Sequence, residues 1–216
     1  SVRLTARFKI KAKRMPTQRL SQTLHPFTVT VAALLLLVGC STSGTQVAAE
    51  RAKASVDAYL AALEELPGDV TGIEQGLIQF ENVYQDLAAP GIGDAIEAVY
   101  APVLFFNDTV HTITDRDNLR TYMAQTGSNL TESQVEIHQV LRDEADVFVR
   151  WTMRFVIGEG DDRIESNSIG MTHLRFNAQG QVILHQDYWD SASALYAHLP
   201  IVGMVLRMAQ DRLAEQ

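Results

Sequence analysis

The sequence is poor in cysteine, with Cys40 as the only one among 216 residues. An internal disulfide is therefore excluded, whatever compartment the chain occupies. Metal sites in proteins need three or four ligands in a defined cage, and the six histidines form no His-x-x-x-His pair, so no metal is expected. The sequence also lacks a nucleophile elbow, a phosphate-binding loop and a dinucleotide fingerprint, so no cofactor is expected.

Acidic residues are absent from the first 39 positions, which carry seven Lys and Arg residues. The rest of the chain holds eleven basic and 26 acidic residues, a formal charge of −15. A body this acidic repels the phosphate backbone, and no basic patch with interleaved aromatic residues follows Cys40. The charge distribution therefore excludes nucleic acid as a partner.

The apolar run Phe27–Val38 is short, with twelve residues that include two threonines. A helix needs roughly 20 residues to cross about 30 Å of hydrocarbon, so this run does not predict a membrane span. A basic segment followed by an apolar core of this size is typical of a signal peptide. We therefore expect residues 1–39 to be a signal peptide. Met15 would be a more usual start, in which case residues 1–14 lie upstream of it.

The segment Leu37-Val38-Gly39-Cys40 at the end of this run closely resembles the lipobox of bacterial lipoproteins. The resemblance implies cleavage before Cys40, acylation of that residue and lipid-membrane anchoring, with residues 41–47 as a flexible tether. It places the protein in the bacterial cell envelope. Because Ser41 rather than aspartate follows the cysteine, it implies the periplasmic side of the outer membrane if the source is a diderm. The alternative is a conventional signal peptide followed by a chance cysteine.

The periodicity of apolar residues changes along the rest of the chain. Helical spacing predicts helices over residues 48–66, 73–87, 93–100 and 116–125, the last ending at Gly127. Strands are predicted over 103–108, 110–113, 135–141, 147–157, 164–176 and 182–190. Helices followed by a largely antiparallel sheet indicate the α+β class. Residues 191–216 form a C-terminal helical extension, broken at Pro200, whose apolar residues we expect to pack on the domain or roof a pocket.

The final strand has an unusual composition on one face. Alternation places Ile183, His185, Asp187 and Trp189 on the same side, so two ionisable groups lie between two large apolar ones. This mixture suits the wall of a pocket better than a plain core. A structural hydrogen-bonded pair is the alternative interpretation for His185 and Asp187.

The order of these elements resembles the nuclear transport factor 2 (NTF2)-like superfamily, which includes SnoaL-like polyketide cyclases, ketosteroid isomerases and many non-enzymes. The segment His173-Leu174-Arg175-Phe176-Asn177-Ala178-Gln179-Gly180-Gln181-Val182 and the terminal Tyr188-Trp189-Asp190 carry the resemblance. It covers about residues 71–190 and implies a cone-shaped fold, with N-terminal helices packed on a curved, mostly antiparallel sheet around one pocket. The domain with its leading helix would then span residues 48–190.

Two ungapped blocks resemble bacterial ketosteroid isomerases more closely. In the first, Tyr84 matches the tyrosine that donates to the oxyanion and Asp108 the aspartate that moves the proton. In the second, Thr172 replaces a protonated aspartate, while His185 and Asp187 replace apolar pocket residues. With Phe106 and Trp189, these residues are the expected pocket. Asn107-Asp108-Thr109 is also ordinary turn sequence, so Asp108 has a structural alternative.

The leading hypothesis is therefore a membrane-anchored envelope lipoprotein whose NTF2-like pocket binds a small, mostly apolar ligand. One alternative is an isomerase, dehydratase or cyclase with Asp108 as general base and Tyr84 as oxyanion donor. Another is an envelope assembly or structural partner that uses the sheet face. The resemblance also implies a homodimer through the sheet.

Overall fold

A computed structural model describes residues 26–214 of the chain, which divides into two units, 1–50 and 51–216. The first part of the expected signal peptide, residues 1–25, lies outside the described residues, as does the side chain of Cys40. Between residues 26 and 214, no helix is both long enough and apolar enough to cross a membrane.

Helix α1 spans Pro26–Glu65. It includes residues 41–47, so the backbone is helical where the sequence predicts a flexible tether. Serine, threonine and glycine are weak helix formers, but extending an existing helix costs far less than starting one. The strong helix formers that follow Ala48 continue the same helix.

The remaining elements belong to the second unit, and most agree with the sequence pattern. The helices are α2 (Ile73–Tyr84), α3 (Ile92–Val99), α4 (Arg116–Asn129), α5 (Ser191–Ala194) and α6 (Pro200–Ala214). The strands are β1 (Tyr100–Asn107), β2 (Thr112–Asp115), β3 (Leu130–Asp143), β4 (Asp146–Ile157), β5 (Ile164–Phe176) and β6 (Val182–Trp189). The predicted α+β class is confirmed.

The six strands form one curved, unclosed sheet in the order β2-β1-β6-β5-β4-β3. All neighbouring pairs are antiparallel except β1 and β6, which run parallel. This parallel pairing brings the end of an early strand beside the middle of the last one: Phe106 is in register with His185, and Asn107 with Gln186. Residues far apart in sequence therefore meet inside the sheet.

The main core lies between α2, α3, α4 and the inner face of the sheet. Its most buried side chains include Ile96, Tyr100, Leu119, Val149 and Leu174, none more than 1% exposed. A smaller cluster joins Ala62 of α1 to Phe105 and Leu184. The adjacent residues Phe105 and Phe106 of β1 thus belong to two different packing layers, as the period of two requires.

A cluster of ionisable residues beside the smaller core fastens the end of α1 to the sheet. Arg175 donates to Asp146 Oδ1 at 2.5 Å and to the Leu63 carbonyl at 2.7 Å, and His173 Nε2 lies 2.7 Å from the same Asp146 oxygen. The hydrogen bond from Arg175 lowers the pKa of Asp146, and burial lowers the pKa of His173. These groups satisfy one another away from the cavity described below, so we assign them a structural role.

The C-terminal segment differs from expectation beyond Leu199. Leu195 does reach the cavity described below, but most apolar side chains of α6 are exposed, with Ile201 at 74% and Leu213 at 72%. Only Gly203 of this helix is buried. The expectation that the whole segment packs on the domain is therefore wrong for α6.

Candidate functional site

The second unit contains a cavity of about 300 Å³ between the helices and the concave face of the sheet. Its wall is mostly apolar, with contributions from helices α2 and α4 and strands β3 and β4. The apolar side chains on this wall include Phe80, Leu87, Met123, Val135, Ile137 and Phe155. The polar side chains include Tyr84, Asp108, Tyr122, Thr172 and Asp187. The described lining includes no lysine or arginine.

Six of the seven side chains predicted for the pocket line this cavity: Tyr84, Phe106, Asp108, Thr172, Asp187 and Trp189. The expectation for His185 needs correction. It is only 1% exposed and lies behind the wall, with its ring 4.7 Å from that of Phe106 and 5.6 Å from that of Tyr84. His185 therefore acts on the cavity only through its neighbours.

Asp108 follows the end of β1, and its carboxylate accepts hydrogen bonds from three donors. Oδ1 accepts from the backbone N–H groups of Val110 at 2.9 Å and His111 at 2.7 Å. Oδ2 accepts from the hydroxyl of Tyr122 on α4. The indole of Trp189 donates to the Asp108 carbonyl at 2.9 Å. Asp108 is therefore both a turn residue and a cavity carboxylate, so the two interpretations of its sequence are compatible.

A chain of hydrogen bonds runs behind the wall of the cavity. The hydroxyls of Tyr84 and Tyr100 are 2.5 Å apart, and the Tyr100 hydroxyl is 2.7 Å from His185 Nδ1. His185 Nε2 is 2.9 Å from Asp187 Oδ1. The hydrogen-bond chain thus begins at Tyr84 and ends at Asp187, which both line the cavity. The two buried residues between them, Tyr100 and His185, do not line it.

A second set of contacts fixes Asp187 from the neighbouring strands. Thr172 on β5 donates to Asp187 Oδ1 at 2.5 Å, and the indole N–H of Trp151 on β4 donates to the Thr172 hydroxyl at 2.8 Å. Trp151 lies across from Gly170 in the register of the two strands. A Cβ at Gly170 would lie 2.4 Å from the Trp151 ring, so glycine is what allows the indole to take this place.

Burial and nearby negative charge raise the pKa values of the tyrosines in the site. Burial raises the pKa of Tyr84 and Tyr100 well above the ordinary range, although the Tyr100 hydrogen bond partly offsets this for Tyr84. Burial and the Asp108 carboxylate raise the pKa of Tyr122. All three phenols therefore keep their protons at physiological pH.

Sequence reasoning missed three residues of this arrangement: Tyr100, Tyr122 and Trp151. Tyr122 could have been found, because it shares helical spacing with Leu119 and Thr126 on a stripe that faces inward. Tyr100 and Trp151 carry no such signal, because their roles depend on which strands are neighbours. In residues 26–214, no group of three or more His, Cys, Asp or Glu side chains could hold a metal ion.

An α+β arrangement in which a curved sheet and the helices packed on it enclose a cavity defines an NTF2-like fold. Residues 80–185 match the family model of the SnoaL-like domain, which confirms that the chain carries such a domain. The matched segment supplies most of the cavity wall, from Phe80 to the strand that holds His185. No curated protein matches the sequence.

Solved structures resemble the chain at low sequence identity. An LEH-like epoxide hydrolase from M. tuberculosis is 18% identical, with a TM-score of 0.48, over 65% of this chain and 98% of that one. An NTF2-like protein of unknown function from Exiguobacterium is 13% identical, with a TM-score of 0.45, over 53% and 98%. A hypothetical protein with a ketosteroid isomerase-like fold from Catenulispora acidiphila, in complex with trimethylamine, is 19% identical, with a TM-score of 0.45, over 50% and 82%. These similarities are too weak to carry an activity or a ligand over to this chain.

Proposed function

We propose that the protein binds a small, mostly apolar ligand in the cavity between its helices and its sheet. The observation that carries this proposal is the cavity itself, about 300 Å³ in volume, with a largely apolar wall and a few polar side chains. Ligand sites in proteins combine an apolar lining with a few placed polar groups in this way. The apolar wall provides affinity, and Tyr84, Asp108 and Asp187 orient a polar group of the ligand.

The charge of the wall narrows the class of ligand. Asp108 and Asp187 are carboxylates, and the described lining contributes no lysine or arginine to balance them. A ligand anion would therefore meet uncompensated negative charge in a poorly solvated space. A neutral molecule, or one with a cationic group, fits this cavity better.

Filling the cavity from its wall tests this proposal. Ile137→Trp places a larger side chain in the space, so we expect the Kd of decalin, a saturated hydrocarbon, to rise at least about tenfold, or 1.4 kcal/mol. Ile169→Trp makes the same change on the outer face, where Ile169 is 61% exposed, and should leave the Kd unchanged. Calorimetric titration measures both. Equal affinities in the two variants would contradict the proposal, and mass spectrometry of extracts from the native protein would identify the natural ligand.

Acid–base catalysis is a second candidate function, with Asp108 as general base and Tyr84 as oxyanion donor. It is favoured by the placement of a carboxylate and a tyrosine hydroxyl on the wall of the same apolar cavity. Asp187 is a further candidate base, because Thr172 and His185 contact its Oδ1 while its Oδ2 has no hydrogen bond among the described residues. A general base must lie within hydrogen-bond reach of the proton that it removes.

Deuterium exchange detects such catalysis without knowledge of the substrate. Decalone carries exchangeable hydrogens beside its carbonyl, so an active site would accelerate their exchange in heavy water, as followed by mass spectrometry. We expect Asp108→Asn to lower this rate at least about a hundredfold, because general bases contribute about 10²–10⁴. The variant is nearly isosteric and should keep decalone affinity within about tenfold. Exchange no faster with the native protein than in buffer would exclude this candidate, and a loss confined to Asp187→Asn would move the base to Asp187.

We further propose that the mature protein is anchored in the cell envelope through acylated Cys40. The proposal is supported by the Leu37-Val38-Gly39-Cys40 sequence that closes a short apolar run after a basic segment. In this arrangement the ligand is one available at the membrane face or in the surrounding compartment. Dimerisation through the sheet stays a prediction.

A further inference from the structure

The hydrogen-bond chain behind the cavity has one bond whose direction is fixed by chemistry. An indole N–H can only donate, so Trp151 donates to Thr172, and the hydroxyl proton of Thr172 is left for Asp187 Oδ1. Asp187 Oδ1 is therefore an acceptor. The same oxygen lies 2.9 Å from His185 Nε2, so that ring nitrogen must carry a hydrogen and donate to it.

With Nε2 protonated, the direction of the remaining bonds depends on a single proton at His185 Nδ1. When His185 is neutral, Nδ1 is an acceptor, so the Tyr100 hydroxyl donates to it. The Tyr100 oxygen then accepts from Tyr84, and the Tyr84 hydroxyl proton points away from the cavity. In this state Tyr84 offers a ligand only lone pairs.

A second proton on His185 reverses this part of the chain. Nδ1 then donates to the Tyr100 oxygen, Tyr100 donates to the Tyr84 oxygen, and the Tyr84 hydroxyl proton is free to point into the cavity. No covalent bond in a tyrosine is broken, because each hydroxyl only rotates. The added charge lies beside the Asp187 carboxylate, 2.9 Å away, which stabilises it.

We propose that His185 and Asp187 determine whether Tyr84 donates or accepts at the cavity wall, so that the site recognises a ketone oxygen only when His185 carries both protons. This inference rests on the proposed ligand-binding function and names the polar group that the ligand presents. His185 and Tyr100 are positioning residues, because they act through Tyr84 and do not line the cavity.

Within the hydrogen-bond chain, His185 is the one imidazole, and its ring can carry either one proton or two. Tyr84 and Phe80 face it from α2, Tyr100 and Phe106 from β1, and Asp187 from its own strand. The other titratable groups on the cavity wall are Asp108 and Tyr122, with the ring of His111 4.6 Å from that of Tyr122. The raised pKa values of Tyr84 and Tyr100 keep both phenols protonated, so the His185 ring is the member of the hydrogen-bond chain that can take up the second proton.

The test compares two probes of nearly the same shape, decalone and decalin, on the full chain by calorimetric titration at about pH 5 and pH 8. These values bracket the range in which histidine charge changes. We expect decalone to bind about tenfold more tightly than decalin at the lower pH, and the two to bind equally at the higher pH. Tyr84→Phe should remove the preference at both pH values while decalin still binds.

Tyr100→Phe is the decisive variant, because it interrupts the hydrogen-bond chain without changing the cavity wall. The Tyr84 hydroxyl loses its acceptor and is free to donate to the ligand whatever the state of His185, so the ketone preference should become independent of pH. His138→Gln removes an exposed histidine outside the hydrogen-bond chain and outside the cavity lining, and should leave the pH dependence intact. His185→Gln should abolish it, and if that variant fails to fold, Tyr100→Phe decides the question alone.

The outcomes separate this inference from the proposed function. If decalin does not bind at either pH, the ligand-binding function itself is wrong. If decalin binds but the ratio of the two affinities is the same at both pH values in the native protein, the binding function stands and the role of His185 and Asp187 is wrong. A pH-dependent ratio that persists in Tyr100→Phe would also overturn the inference.

Discussion

Cys40→Ala is expected to abolish fatty-acid labelling of the protein when it is produced in a bacterium that processes lipoproteins. A thioether to lipid needs a sulfur atom, and Cys40 is the only cysteine in the chain. Metabolic labelling with a tagged fatty acid, followed by gel fluorescence, measures the effect. The expected change is all or none, because no other residue can replace the thiol.

The matched control for this experiment is Ser43→Ala, which alters a nearby small residue and keeps the cysteine. It should retain both the label and the membrane fraction of the native chain. Label that persists on Cys40→Ala would show attachment elsewhere and remove the support for an anchor at this position. The membrane fraction alone is a weaker measurement, because an uncleaved apolar segment can also hold a chain at a membrane.

Gly170→Ala is expected to have the largest effect on stability among the changes considered. The new methyl group would lie 2.4 Å from Cζ2 of Trp151, whose side chain is buried and tied to Thr172. Overpacking of this kind costs about 1–3 kcal/mol, which corresponds to a fall in Tm of roughly 3–10 °C. Thermal unfolding followed by circular dichroism measures it.

Two further variants give this prediction its controls. Gly44→Ala adds the same methyl group where nothing lies within 4 Å, so it should not lower the Tm. Trp151→Leu removes the ring that the new methyl group meets, so Gly170→Ala should cost less in that background than in the native chain. Strictly additive costs would contradict the contact as the cause.

The fold was largely predictable because its signals are local. The change from helical to period-two spacing separates the helices from the sheet, and the predicted strand 164–176 has the same bounds as β5. The predicted helix start at residue 116 agrees with that of α4, where Asp115 is the N-cap and accepts from the Asn118 N–H at 2.9 Å. These features depend only on neighbours within a few positions.

Gly127 shows where local signals mislead. The sequence predicts it as the end of α4, yet the helix continues to Asn129. A Cβ at Gly127 would lie 2.7 Å from a methyl carbon of Ile92 and equally near the Leu87 carbonyl, so the glycine serves close packing. Glycine can end a helix or allow close packing within one, and only the tertiary structure distinguishes the two roles.

Most of the predicted lining residues of the candidate site could be named from the sequence, but the hydrogen bonds between them could not. Alternation along β6 placed Asp187 and Trp189 on the cavity side, and Tyr84 lies four positions after Phe80, a spacing that keeps both on one face of α2. The parallel pairing of β1 with β6 carries no signal in either strand, and it is what places Tyr100 between Tyr84 and His185. The depth of His185 could not be predicted for the same reason.

The hydrogen bond between Tyr100 and His185 joins residues 85 positions apart, so the ribosome makes the two partners at different times. At about 5–20 residues per second, a ribosome needs roughly 4–17 s to add the second partner after the first. Until β6 has been made and inserted beside β1, the tyrosines, both core layers and the cavity wall lack the strand that completes them. A chain interrupted before Val182 therefore has helices α1 to α4 but lacks the Asp187 and Trp189 side chains of the cavity wall, so the proposed ligand would bind only chains whose synthesis has passed β6.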